Sequence, residues 1–387
     1  MRIDKDKFRK AGLSAVSVML VLTAAACTAV RIASLGCWDS LGLIAASTVM
    51  PQPVNQYYSK KEKTVEKPSE IPVQKAEAYS VPDENTDSDV SEPPVQLSAP
   101  SGFEEHIPTE KEIAAYKSAH SGEETYPVLE FTTTQGNIAY SGVQVKNSSS
   151  FDLDIKKELS GKPGFTLEKT DQPQVLIYHT HTTEGFLEYD TGYYYESFYP
   201  RSTDPEKNVC AVGEEIRKSL ESAGICAVHD TTIHDDPSYT GAYYRSYDTV
   251  MEYMKKYPSI KVVLDIHRDG IGTDSQRSKP IFTADGKKAA QMMILAGYNY
   301  DDSEDFRHWE YNLRFALQLQ KTAAEKYPGM VRPLSFGDFM YNMNICPGSL
   351  LIEIGADSNT LEEVRYTGYL LGGVLSDVLK SAPYQQN

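Results

Sequence analysis

Apolar and polar positions divide this 387-residue chain into three zones. The first is continuous: residues 11–30 carry no charge and follow a Lys- and Arg-rich stretch, residues 1–10. Twenty residues of helix span about 30 Å, one bilayer core. The basic flank places residues 1–10 in the cytoplasm and the rest of the chain outside. A cleaved signal peptide cut near Ala24-Ala25-Ala26, or a lipoprotein signal at Cys27, is the competing reading, and an uncleaved anchor over 11–50 is preferred. The second zone, 51–126, is rich in Pro, Glu, Ser, Lys and Asp and has no hydrophobic period, which predicts a disordered linker.

The third zone alternates. Short pieces at 137–145 and 152–159 open it, forming the N-terminal part of the exported domain, 127–171. Over 172–387, apolar runs of strand length at 175–178, 225–228, 262–266, 292–296 and 349–354 are separated by helix-period segments at 208–223, 239–256, 309–326 and 360–381. That order predicts an α/β fold: a mixed, mostly parallel sheet with helices on both faces.

Candidate chemistry sits where these runs end. In the segment Gln174–Phe186 the strand leads into His179, His181 and Glu184; the strand at 262–266 leads into His267; the strand at 349–354 carries Glu353. In open α/β sheets, sites form at the carboxyl ends of strands. Imidazole with carboxylate is the donor set of a catalytic zinc, which takes three protein ligands. His179 and His181 are two apart, so in an extended segment they point the same way. His181 is favoured because it lies further out of the strand, with Glu184 and His267 completing the ligands. Glu353 is then left as general base for a zinc-activated water attacking a carbonyl. Arg268 is expected to hold a substrate carboxylate or polarise the carbonyl, and Ser246 to orient a ligand or bind substrate. Tyr239, Tyr243 and Tyr247 recur every four residues and are expected to form a packing stripe on one helix. His106, His120, His229, His234 and His308 are expected to be nonligands.

Charge and cysteine content narrow the field. A net charge of -16 and a pI of about 5.0 argue against nonspecific DNA binding. The five cysteines show no C-x-x-C spacing, so buried free thiols are expected rather than a disulfide framework or a cysteine–zinc site. P-loop, G-x-G-x-x-G, G-x-S-x-G and H-E-x-x-H motifs are absent.

Taken together, VLIYHTHTTEGF, NVCAVGEEI, SYTGAYYRSYDTV, LDIHRDG and LLIEIGADSNTLEEV resemble the stage II sporulation protein P family, over residues from about 127 to the C-terminus. The family is similar to zinc-dependent N-acetylmuramoyl-L-alanine amidases. The resemblance implies hydrolysis of the amide between N-acetylmuramic acid and L-alanine in peptidoglycan, with possible endopeptidase cutting of cross-links. It implies a part in engulfment during endospore formation. It also implies a single-pass cell-membrane location, with the catalytic domain between mother-cell and forespore membranes. The implied partners are the sporulation stage II proteins D and M, in a membrane complex. By position it puts zinc on His181, Glu184 and His267, with Glu353 catalytic. Such amidases usually draw their glutamate ligand from near the start of the first helix, where Glu206 lies here, so Glu184 and Glu206 compete. The alternative function is a wall-binding scaffold with an inactive metal site.

Overall fold

The computed structural model describes residues 102–381. The expected anchor at 11–50 and most of the expected linker lie outside them. Among the described residues no helix is long and apolar enough to cross a membrane.

In chain order the elements are α1 (Glu110–Ala119), β1 (Thr125–Phe131), β2 (Ile138–Tyr140), β3 (Val143–Asn147), α2 (Ile155–Ser160), β4 (Val175–Tyr178), β5 (Tyr193–Tyr195) and α3 (Val209–Ser222). There follow β6 (Ala227–His229), α4 (Ala242–Lys256), β7 (Val262–Asp269), β8 (Gly272–Thr273), β9 (Gln276–Ala284), β10 (Lys287–Ala290) and β11 (Met292–Gly297). The chain closes with α5 (Trp309–Lys326), β12 (Leu334–Gly337), β13 (Ser349–Ala356) and α6 (Leu361–Ser381).

Eight strands form the central sheet in the order β2-β3-β12-β11-β13-β7-β4-β6. Every pairing in it is parallel except β2–β3 and β11–β13. The expected mixed, mostly parallel sheet is therefore present. Alternation explains its two-sided burial. Val175, Ile177, Leu264, Ile266, Ile352 and Ile354 face the core shared with α3, α5 and α6. The intervening Leu176, Tyr178 and Val263 pack with Val250 of α4 on the other face. Each such aliphatic side chain contributes about 1.5–3 kcal/mol on burial. A second sheet runs β10-β9-β1-β5, with β8 paired to β9.

Three expectations need correction. The linker does not extend to 126: α1 forms within it, started by a capping box in which Thr109 and Glu112 satisfy each other's backbone N–H groups. α1 has no buried residue; it is fastened by the edge-on rings of Tyr116 with Tyr189 and Tyr195. The helix expected from 239 begins at Ala242, because Gly241 has φ 84°, outside helical space. Tyr239 therefore leaves the tyrosine stripe. The region 272–290 holds β8, β9 and β10, which were not expected as strands; Asp285 (φ 50°) and Gly286 (φ 77°) form the tight turn between β9 and β10.

Candidate active site

β4 ends at Tyr178, and the chain turns at once. Thr182 Oγ1 donates to the His179 carbonyl (2.9 Å), and the Glu184 N–H donates to the His181 carbonyl (3.1 Å). The segment is not extended, so His179 and His181 do not point the same way. His179 continues the face of Val175 and Ile177 toward α3, where its Nε2 lies 2.8 Å from His229 Nε2. His181 is carried over to the α4 side. There Tyr239 stacks on it (4.2 Å between ring centres, planes 9° apart) and Tyr243 meets it edge-on.

β7 and β13 bring the partners. Asp265 and His267 share one face of β7, opposite Leu264 and Ile266. The parallel register sets Glu353 of β13 directly beside His267. The ring of His267 lies 5.3 Å from that of His181, edge to face. Its Nδ1 is 3.5 Å from Glu184 Oε2, and its Nε2 is 2.8 Å from Asp265 Oδ1, out of line for a hydrogen bond. Asp265 is itself fixed by the Thr180 N–H (2.8 Å) and hydroxyl (2.7 Å).

The loop carrying Glu184 is tied to its surroundings by main-chain bonds. The N–H groups of Gly185, Leu187 and Val209 donate to Pro200, Asn359 and Glu184, respectively. The Arg268 N–H donates to Glu184 Oε2 at 3.1 Å. The Arg268 guanidinium is occupied by carbonyls of Gly185, Pro200 and Asp269. Ser246 is fully buried, with Oγ 2.8 Å from Thr180 Oγ1 and 3.2 Å from the Tyr243 carbonyl. Ser246 thus touches Thr180, which touches Asp265, which faces His267. Glu206 is exposed just before α3 and lines a cleft with Cys210, Glu214 and His229, whereas Glu184 is buried against His267.

The electrostatics are those of a buried cluster of imidazoles and carboxylates. Burial pushes the His181 imidazole down to about 4, against the pull of Glu184. For His267 burial works the same way, but the Asp265 and Glu184 carboxylates outweigh it and hold its pKa well above the ordinary range. Burial would raise Glu184, but the His267 hydrogen bond and charge bring it down to about 2. Glu353 is pushed up to about 8, by burial first and then by Asp269 and Glu184, against the opposing charges of His267 and Arg332.

This donor set fits zinc. Both ring nitrogens of His181 and Oε2 of Glu353 are buried without a hydrogen-bond partner, a costly condition that a cation would relieve at one His181 nitrogen, while His267 turns Nδ1 toward Glu184 and Nε2 toward Asp265. Asp265 on one nitrogen of His267 is the carboxylate–histidine arrangement that orients metal-binding imidazoles. The donor atoms of His181, Glu184 and His267 do not all lie within 4.8 Å of one another. Among the described residues, the triads whose donor atoms lie within 4.8 Å of one another are His179–Cys210–His229 and Glu130–Asp190–Glu363.

Sequence reasoning did not single out Asp265, Thr180 or the role of Tyr239. Asp265 had a visible signal, since it stands two residues before His267 on the same strand face.

Comparison with known proteins now decides the family. The model of the stage II sporulation protein P (SpoIIP) family matches residues 47–376. The chain belongs to that family. Stage II sporulation protein P of Bacillus subtilis (strain 168) is 30% identical over 262 residues, covering 63% of this chain and 58% of the relative. The chain thus aligns with less than two thirds of that relative's length. Among solved structures, the N-acetylmuramoyl-L-alanine amidase AmiC2 of Nostoc punctiforme is 12% identical, with TM-score 0.32, over 54% of this chain and 95% of that one. The CwlD amidase of Clostridioides difficile, solved in complex with the GerS lipoprotein, is 14% identical, with TM-score 0.29, over 54% and 98%. Likenesses this distant do not carry an activity across.

Proposed function

We propose that this family member is a peptidoglycan hydrolase acting in sporulation, a zinc-dependent N-acetylmuramoyl-L-alanine amidase. The observation that carries this reading is the buried, partnerless His181 beside Glu184 and His267, with Glu353 on the adjoining strand. His181, Glu184 and His267 would hold the ion. When bound, zinc supplies Lewis-acid polarisation of a carbonyl and acidification of water.

The remaining roles belong to the chain. Glu353 accepts a proton from the attacking water and returns it to the leaving amine. Asp265, held by Thr180 and through it by Ser246, keeps the His267 ring in place. Arg268 fixes Glu184 by its backbone N–H. The same chemistry extends the proposal to peptide cross-links. Anchoring by residues 11–50, a catalytic domain between the mother-cell and forespore membranes, action in engulfment, and a complex with the sporulation stage II proteins D and M complete the reading, on the family resemblance.

The test is digestion of purified peptidoglycan by the full chain, with and without a chelator, with products read by mass spectrometry. Intact stem peptides freed from glycan support the amidase. Cut cross-links alone point to an endopeptidase. No chelator-sensitive release overturns the enzyme reading in favour of a scaffold.

A further inference from the structure

Behind the candidate active site, on the α3 face of the sheet, lies a second group of metal-binding side chains. His179 directly follows β4, His229 ends β6, and Cys210 sits in the first turn of α3. Their donor atoms all lie within 4.8 Å of one another. The two Nε2 atoms are 2.8 Å apart, facing each other.

The outer nitrogens are already engaged. His179 Nδ1 lies 2.8 Å from the Ile266 carbonyl, so it carries the proton and leaves Nε2 a lone pair. His229 Nδ1 lies 3.5 Å from Glu214 Oε2. A carbonyl behind one imidazole and a carboxylate behind the other is the outer-shell pattern of metal-bound histidines, with both Nε2 atoms turned inward.

A glycine leaves room beside the paired nitrogens. A Cβ on Gly213 would come within 2.5 Å of His229 Nε2 and 2.8 Å of His179 Nε2. A cavity of about 520 Å³, lined in part by Cys210, Glu214, His229 and Glu206, gives access from solvent.

We propose that His179, His229 and Cys210 form a second metal site, separate from His181, Glu184 and His267, that takes a borderline-soft divalent ion of the zinc class. Two imidazoles and one thiolate suit that class. Cys210 and His229 also line the cavity, and an ion held by all three would clamp the ends of β4 and β6 to α3. This inference does not rest on the hydrolase reading.

Cobalt loading of the full chain tests it, because the first cluster contains no sulfur. Wild type is expected to bind Co²⁺ and to show a near-ultraviolet thiolate-to-cobalt charge-transfer band. Cys210→Ser should abolish the band and His229→Gln should remove one equivalent, while His181→Ala keeps the band. The wild-type spectrum needs no variant to fold. A wild-type protein without the band, or a Cys210→Ser protein that keeps both band and stoichiometry, overturns the site.

Discussion

At the scale of single residues, the candidate site rests on a chain of contacts rather than on three ligands alone. Replacing Glu353 by Gln keeps shape and removes the proton acceptor. Turnover should fall by about 10²–10⁴-fold while zinc content stays at the wild-type value; assay of the zinc-loaded variant on peptidoglycan checks both, and full activity would remove Glu353 from the mechanism. Asp265→Asn leaves His267 without its carboxylate. Zinc affinity should drop about 10–100-fold, measured by competition with a chromogenic chelator, and an unchanged affinity would make Asp265 merely structural. Most of this was legible in the sequence, because period-two alternation puts Asp265, His267 and the strand beneath them in order. The separation of His179 from His181 was not. It depends on a turn that begins one residue after β4, and the Thr182 and Glu184 hydrogen bonds that make it involve no periodic pattern.

Among elements, the sharpest energetic feature outside the site is Lys279 of β9. Its ammonium is 1% exposed and meets Glu363 at 2.7 Å and Asp190 at 2.9 Å. Burial disfavours its charge, but Glu363 and Asp190 outweigh that and raise its pKa. Lys279→Met would strand Glu363, itself buried at the start of α6, and should destabilise the fold by about 3–5 kcal/mol, read by urea unfolding. The sign of the pH dependence follows from the raised value. The stabilisation is complete below the lysine's ordinary pKa of about 10.4 and is lost as pH rises through the folded value. Wild type and variant should therefore differ by a constant amount through the neutral range and converge in alkali; convergence near neutrality would contradict the pairing. The strands and helices around this pair were unevenly readable. β4 and α5 were predictable to the residue from apolar runs and helical period. α1 was hidden in linker-like composition, although Thr109 and Glu112 spell a capping box. The β9–β10 turn was signalled by Asp285-Gly286, but the parallel pairing of β1 with β9 joins residues about 150 positions apart and leaves no local trace.

Across the whole molecule, the central sheet carries an apolar core on both faces, and none of the proposed metal ligands is part of it. Chelation should therefore silence hydrolysis while the far-ultraviolet circular dichroism stays native. Zinc at about 100 times its dissociation constant should then add about 2.7 kcal/mol of stability per independent site. Collapse of the spectrum on chelation would instead mean that the fold depends on the metal. The net charge of -16 gives this molecule no broad basic surface for nucleic acid.

The knitting of the Glu184 loop has a consequence for motion. The Gly185, Leu187 and Val209 N–H groups are bonded across to Pro200, Asn359 and Glu184, and no flap of loose chain intervenes between β4 and α3 at these points. In deuterated solvent these amides should be released only by the openings that also free the central strands, whereas amides of α1 should be replaced early. Mounted this way, the backbone of Glu184 keeps its place before any ligand arrives.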